Sequence, residues 1–125
     1  MIVGIGVDVV EISRVRGVLE RQKDRFVRRV FTPAEQDYCR GHRDPTAYYA
    51  VRFAAKEAVF KALGTGWARG VSWLQVEVSR RNQGAPSLVL AGEALNRSHV
   101  LGVNATHVSL SHSEEVAVAM VVLER

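Results

Sequence analysis

A long helix pattern between residues 45 and 64 constrains the fold of this chain more than any other feature. Pro45 is well placed to begin the helix, and Gly64 is well placed to end it. Large apolar side chains fall on one broad side and alanines fall on another, so we expect both sides to be buried. Such a helix has to be covered on most sides by other elements.

Two pairs of charged residues interrupt this apolar helix. Arg52 and Lys56 lie four residues apart on one line, and Glu57 and Lys61 lie four apart on another. On a solvated face, such a pair contributes roughly 0.2–0.5 kcal/mol. The neighbours of Glu57 and Lys61 on the helix surface are alanines, however, which predicts a cleft there. In a cleft, a glutamate can bind a hard cation and a lysine can neutralise phosphate oxygens.

A second misplaced acid is Asp8, which lies inside a β-branched, glycine-dotted strand pattern at residues 2–10. Aspartate is a poor strand former and is rarely buried without a partner. Two interpretations stay open. Asp8 pairs with an arginine, or Asp8 and Glu57 together bind Mg²⁺, which typically takes one or two carboxylates and keeps positions for water and phosphate.

Two further segments carry weaker signals. In "SLSHS" at residues 109–113, His112 is either a structural residue or a contact for phosphate or a proton. The "GTG" stretch at residues 64–66 could offer backbone N–H groups to a phosphate. The sequence has no nucleophile elbow, zinc-ligand spacing or P-loop.

Positive charge is concentrated near the N-terminus, within a chain whose net charge is +4. The cluster comprises Arg14, Arg16, Arg21, Lys23, Arg25, Arg28 and Arg29. It is either a solvated helical face or a surface that attracts a nucleic acid, a phosphorylated ligand, an acidic lipid or an acidic protein.

The remaining patterns predict a single α+β domain over residues 1–125, with a mainly antiparallel sheet packed against the long helix. The last strand pattern is apolar on both faces, which predicts burial between subunits. Cys39 is the only cysteine and no apolar run approaches about 20 residues, so we expect a cytoplasmic protein that does not span a membrane. The other predicted elements are one or two helices over 11–29, a helix capped by Thr32, a hairpin of strands 74–80 and 86–90 with its turn at 82–85, a helix over 92–102, and strands 106–113 and 116–123.

Four segments together resemble a known family: "GIGVDVVEISR", "FTPAE", "RFAAKEAVFKALGTG" and "SLSHS". In order, spacing and total length, the chain is similar to the holo-acyl-carrier-protein synthases, which are small bacterial 4′-phosphopantetheinyl transferases. The resemblance implies transfer of 4′-phosphopantetheine from coenzyme A to a serine of apo-acyl carrier protein, with release of adenosine 3′,5′-bisphosphate. It also implies a homotrimer that serves fatty acid biosynthesis.

The resemblance further implies roles for individual residues. Asp8 and Glu57 match the Mg²⁺ ligands, and Lys61 matches the lysine at the pyrophosphate. As a hypothesis of mechanism, Glu57 is the leading candidate for the general base, directly or through a metal-bound water, and His112 is second. The positions that match coenzyme A contacts are Arg52, Lys61, Gly64, Thr65, Gly66, Pro86, Ser111 and His112. Those that match the docking surface for the acidic carrier protein are Arg14, Arg21, Arg25 and Arg28.

Two other functions would also be consistent with parts of the sequence. A small nucleic-acid-binding module would explain the basic helix, but it lacks an aromatic platform there and leaves Asp8 and Glu57 unexplained. A purely structural trimeric subunit also leaves these acids unexplained.

Overall fold

The computed structural model describes residues 1–80 and 84–125 and confirms an α+β fold with antiparallel sheets. A short 3₁₀ turn, Trp73–Gln75, precedes the second strand. The helices and strands of the described residues are β1 (Ile2–Glu11), α1 (Ile12–Gln22), α2 (Asp24–Val30), α3 (Pro33–Arg40), α4 (Thr46–Leu63), β2 (Val76–Ser79), β3 (Ser87–Leu90), α5 (Gly92–Val100), β4 (Ala105–His112) and β5 (Val116–Glu124).

The strands form two antiparallel sheets. One has the order β1-β5-β4, so the last strand lies in the middle, and the other is the β2–β3 hairpin. The hairpin prediction is therefore confirmed, although residues 82 and 83 of its predicted turn lie outside the described residues. Within the described residues, no helix has the length and apolarity to cross a membrane.

Strand β1 lies close to α4 because two glycines remove side chains from its inner face. A Cβ atom at Gly4 or Gly6 would collide with the carbonyl oxygens of Ala62 and Ala58 in α4. Alternate strand residues share a face. Asp8 follows Gly6 on this same face, so the strand that approaches the helix also directs a carboxylate toward it.

The two faces of the central strand differ in burial. On the inner face, Ala117, Ala119, Val121 and Leu123 are fully buried. The outer face includes Met120, which is 47% exposed. It continues onto β1 as the exposed side chains of Ile5, Val7 and Val9. The described part of one chain thus leaves an apolar sheet surface uncovered.

Most predicted helix ends are confirmed. Thr32 forms a capping box with Glu35, and Gly64 ends α4 with a left-handed φ of 73°. The basic region, predicted as one or two helices, forms two helices that meet at Lys23, and Gly17 lies within α1. The strand predicted from residue 74 begins only at Val76, because residues 73–75 form the 3₁₀ turn.

Candidate active site

Asp8, Glu57 and Lys61 come together where β1 passes α4. The Lys61 ammonium nitrogen lies 3.0 Å from Asp8 Oδ1 and also donates to the Val7 carbonyl at 3.0 Å. The Asp8 side chain is 17% exposed and that of Lys61 is 52% exposed. Among the described residues, the ion-pair partner of Asp8 is Lys61, so the interpretation that Asp8 pairs with an arginine is wrong.

The charges of this group do not balance. Burial raises the pKa of Glu57, the nearby Asp8 carboxylate raises it further, and the Lys61 ammonium acts in the opposite direction. Two carboxylates therefore share one ammonium, and Glu57 is penalised in its charged form. An added cation would relieve this penalty.

A cavity of about 440 Å³ opens beside the two acids. Asp8 and Glu57 line it together with Arg14 and Arg21 of α1. Apolar side chains complete the wall, and they include Val9, Val18, Phe26 and Phe53. The predicted metal ligands and two of the predicted docking arginines thus border one space, while Arg25 and Arg28 are exposed on α2.

Arg16 differs from the other arginines of the basic cluster. Its guanidinium donates to Asp44 Oδ2 at 3.1 Å and to the Thr46 hydroxyl at 3.3 Å, which ties α1 to the start of α4. The Arg16 guanidinium is the main cause that holds the pKa of Asp44 below its ordinary value. Arg16 is therefore committed to an internal contact.

A second cavity, of about 260 Å³, brings together Arg52, Ser111 and His112, three of the predicted coenzyme A contacts. Arg52 is only 2% exposed. Its guanidinium carbon lies 4.2 Å from the Tyr38 ring centroid, and its NH1 donates to the Tyr48 carbonyl at 3.1 Å. The buried Nε of Arg52 has no hydrogen-bond partner among the described residues.

The glycine loop after α4 does not offer its N–H groups to a phosphate, so that expectation is wrong. The Gly64 N–H donates to the Lys61 carbonyl at 3.1 Å. The N–H groups of Thr65 and Gly66 both donate to the Phe60 carbonyl, at 3.1 and 3.2 Å. These donors end the helix, because the last carbonyls of a helix need partners.

Pro86 lies immediately before β3 and lines neither cavity. Of the residues that the resemblance implied, the structure thus gathers Asp8, Glu57, Arg14 and Arg21 at the first cavity and Arg52, Ser111 and His112 at the second. Pro86, the glycine loop, Arg25 and Arg28 line neither of them.

Comparison with known proteins identifies the family. The model of the 4′-phosphopantetheinyl transferase superfamily matches residues 4–121. The chain belongs to this superfamily. A holo-[acyl-carrier-protein] synthase of Anaeromyxobacter dehalogenans is 50% identical over 127 aligned positions, which cover 99% of this chain and 97% of the relative.

Two solved structures resemble this phosphopantetheinyl transferase over nearly their whole length. The holo-[acyl-carrier-protein] synthase of Neisseria meningitidis has a TM-score of 0.88 at 34% identity, with 100% of each chain covered. The synthase of Bacillus anthracis, solved in complex with CoA (3′,5′-ADP), has a TM-score of 0.80 at 40% identity, with 98% of this chain and 96% of that chain covered.

Sequence reasoning missed several residues of this phosphopantetheinyl transferase. Tyr38, His42, Tyr48 and Arg80 line the second cavity, where the rings of His42 and Tyr48 stack at 3.6 Å. Tyr48 could have been found from its position one helical turn before Arg52. Tyr38, His42 and Arg80 lie outside α4, and no periodic pattern relates them to it.

Proposed function

We propose that the protein is a holo-acyl-carrier-protein synthase. It transfers 4′-phosphopantetheine from coenzyme A to a serine of apo-acyl carrier protein, releases adenosine 3′,5′-bisphosphate and supports fatty acid biosynthesis. The observation that carries the proposal is the convergence of Asp8, Glu57 and Lys61 at one cavity, with Lys61 Nζ 3.0 Å from Asp8 Oδ1. The relatives that bear this name and the relative that binds coenzyme A support it.

Asp8 and Glu57 would hold Mg²⁺. The donor set fits, because it offers two carboxylates with an uncompensated charge and both line an open cavity. No group of three or more potential ligands occurs among the described residues, so most coordination positions would be left to water and phosphate oxygens, as Mg²⁺ prefers. When bound there, Mg²⁺ would supply positive charge to the pyrophosphate oxygens.

The chain's own residues then have distinct tasks. The carrier serine oxygen attacks the β-phosphorus of coenzyme A, and the bond to the adenosine 3′,5′-bisphosphate breaks. Lys61, whose ammonium is half exposed, stabilises the departing phosphate. Glu57 accepts the serine proton. His112 is less suited to that task, because it lines the second cavity rather than the one beside Asp8 and Glu57.

Coenzyme A would extend from this centre toward the second group of residues. Arg52, Ser111 and His112 line the second cavity, where their polar groups would face an anionic ligand. Gly64, Thr65, Gly66 and Pro86 stay proposed contacts through atoms other than the loop N–H groups.

The acidic carrier protein would dock on Arg14, Arg21, Arg25 and Arg28. All four are exposed, and none forms an ion pair within the described residues, in contrast to Arg16. Because Arg14 and Arg21 also line the cavity beside the acids, a carrier held there would have its serine close to Glu57. Such docking is steered by charge, so the rate should fall as ionic strength rises.

The active unit would be a homotrimer with its sites at subunit boundaries. Support comes from the uncovered apolar surface of the sheet, where Ile5, Val7 and Val9 are 56%, 52% and 61% exposed. Surfaces of this kind mark interaction sites. Sedimentation should give a trimer, and a monomer at micromolar concentration would contradict this assembly.

We also propose that the protein works in the cytoplasm without binding a membrane or nucleic acid. Its single cysteine, Cys39, is buried and unpaired, as expected in a reducing compartment.

One experiment tests the function directly. Apo-acyl carrier protein is incubated with the protein, coenzyme A and Mg²⁺, and its mass should increase by one phosphopantetheine. No gain in mass would contradict the proposal. In parallel, coenzyme A with Mg²⁺ should raise the melting temperature while an oligonucleotide should not. The reverse result would favour a nucleic-acid-binding module.

A further inference from the structure

A buried ion pair joins α4 to the rest of the domain on a different side from the proposed metal site. Lys56 and Glu35 are 0% and 1% exposed, and the Lys56 ammonium lies 2.7 Å from Glu35 Oε1. Lys56 also donates to the carbonyls of Trp73, at 3.0 Å, and of Val76. A lysine has three N–H donors, so this ammonium is fully satisfied by the protein.

The carboxylate of Glu35 is satisfied in the same way. Its Oε1 accepts the Thr32 N–H at 2.9 Å, and its Oε2 accepts the Val78 N–H at 2.8 Å. Lys56 and Glu35 together therefore bind the main chain of residues 73–78 at three points, Trp73, Val76 and Val78. None of these main-chain contacts requires a particular side chain in the segment that is bound.

The bound segment follows the glycine loop and leads into β2. The loop begins where the Phe60 carbonyl accepts the N–H groups of Thr65 and Gly66, and it ends at Trp73. The ring of Trp67 within the loop packs edge-on against the ring of Trp73, at 4.0 Å between centroids. The geometry of the loop thus depends on two anchors on α4, its own C-terminal end and Lys56.

We propose that the Lys56–Glu35 pair is a positioning device for coenzyme A. By fixing residues 73–78 to α4, the pair sets the position of the glycine loop and of the hairpin that contains Pro86, relative to the acids of the active site. Lys56 and Glu35 touch neither substrate in this arrangement. The inference rests on the proposed function, because it assigns the loop and hairpin to coenzyme A.

Two variants separate positioning from stability. Lys56→Met leaves the Glu35 carboxylate buried without its cation, and this variant is expected to fold poorly. Glu35→Gln combined with Lys56→Met removes both charges and should recover part of the lost stability, because the glutamine keeps one acceptor for the two main-chain N–H groups that Glu35 binds. The double variant still lacks the Lys56 ammonium that donates to the Trp73 and Val76 carbonyls, so it should remain defective in coenzyme A binding even when it is folded.

The expected result is a split between the two substrates. In the double variant, the KM for coenzyme A should rise on the order of tenfold, as small displacements of binding groups can cause. The KM for the carrier protein should stay within about twofold, because the docking arginines lie on α1 and α2. Amide hydrogen exchange should accelerate over residues 64–78 and stay unchanged in β1 and β5.

Val121→Ala is the matched control, because it removes buried methyl groups from β5, whose partners are β1 and β4. It should lower stability without separating the two KM values. Equal KM changes for both substrates in the double variant, or wild-type exchange over residues 64–78, would overturn the inference. The proposed function is tested separately by titrating the wild-type protein with coenzyme A and following the fluorescence of Trp67 and Trp73. If no binding occurs, the proposed function is wrong while the exchange result still tests the anchor.

Discussion

Helix α4 contributes a lysine to each of two charged groups whose surroundings are opposite. Lys56 is fully buried against Glu35, and every donor it has is used by the protein. Lys61 is half exposed, and its single ammonium has to offset the charges of two carboxylates, Asp8 and Glu57, beside an open cavity. The balanced group holds the fold together, whereas the unbalanced group leaves an interaction to be completed by a ligand.

The physical cost of charge explains this division. Burial lowers the pKa of Lys56, and the Glu35 carboxylate opposes that shift. At the other group, burial and Asp8 act together to raise the pKa of Glu57. Carboxylates whose charged form is disfavoured in this way are common at sites that bind ligands or catalyse reactions.

The largest expected effect comes from removing an acid of the unbalanced group. Asp8→Ala or Glu57→Ala should reduce transfer at least about 100-fold, because the charge at the reacting phosphate is no longer stabilised. Circular dichroism and the melting temperature should show an intact fold. Glu114→Ala is the control, since this exposed carboxylate lies in the turn between β4 and β5. Wild-type transfer by either alanine variant at the acids would exclude the metal assignment.

The sequence predicted one of these two charged groups, that of Asp8, Glu57 and Lys61, but not the other. The spacing of Glu57 and Lys61 among alanines, and the odd position of Asp8 in a strand, were enough to predict that they converge. Helical spacing also placed Lys56 beside Arg52, but it gave no role to Lys56. Its partners, Glu35 and the Trp73 and Val76 carbonyls, come from distant segments and carry no local pattern.

The same limit applies to the fold. Capping at Thr32 and Gly64 and the strand alternation are local signals, so the elements and their order were predictable. The glycine loop was misjudged because its N–H groups have two possible uses, binding a phosphate or ending a helix. Only the structure shows that the Lys61 and Phe60 carbonyls accept them.

The next largest effect concerns stability. Lys56→Met should lower the free energy of unfolding by about 3–5 kcal/mol, because Glu35 would be left as an uncompensated buried charge. Lys61→Met should cost less than about 1 kcal/mol, because that pair is partly exposed to solvent. Urea denaturation of both variants measures the difference. Equal losses would mean that the contrast in burial has no energetic consequence.

A smaller effect is expected at the basic surface. Reversing the charge of Arg14 and Arg25 should raise the KM for the carrier protein roughly tenfold, because steering and docking lose opposite charges. The KM for coenzyme A should change little. Arg16→Gln should leave the carrier KM unchanged, since Arg16 is bound to Asp44. A change confined to coenzyme A would mean that the carrier binds elsewhere.

The smallest expected effect concerns the charge of Glu57, which should destabilise the fold without Mg²⁺ and stabilise it when Mg²⁺ is bound. Since the pKa of Glu57 in the folded state lies above its ordinary value of 4.5, the folded protein holds this proton more tightly than the unfolded chain does. The stability that the protonated group provides is complete below pH 4.5 and is lost as the pH rises through the raised pKa.

At pH 7 and with a chelator present, Glu57→Gln should therefore have a slightly higher melting temperature than the wild type. The gain in the free energy of unfolding should be less than about 1 kcal/mol, because the site is partly solvated. Added Mg²⁺ should raise the melting temperature of the wild type and have little effect on the variant, since only the wild type keeps both carboxylates. Scanning calorimetry with and without Mg²⁺ measures both shifts. Equal shifts in melting temperature for the two proteins on adding Mg²⁺ would mean that the ion does not bind at Glu57.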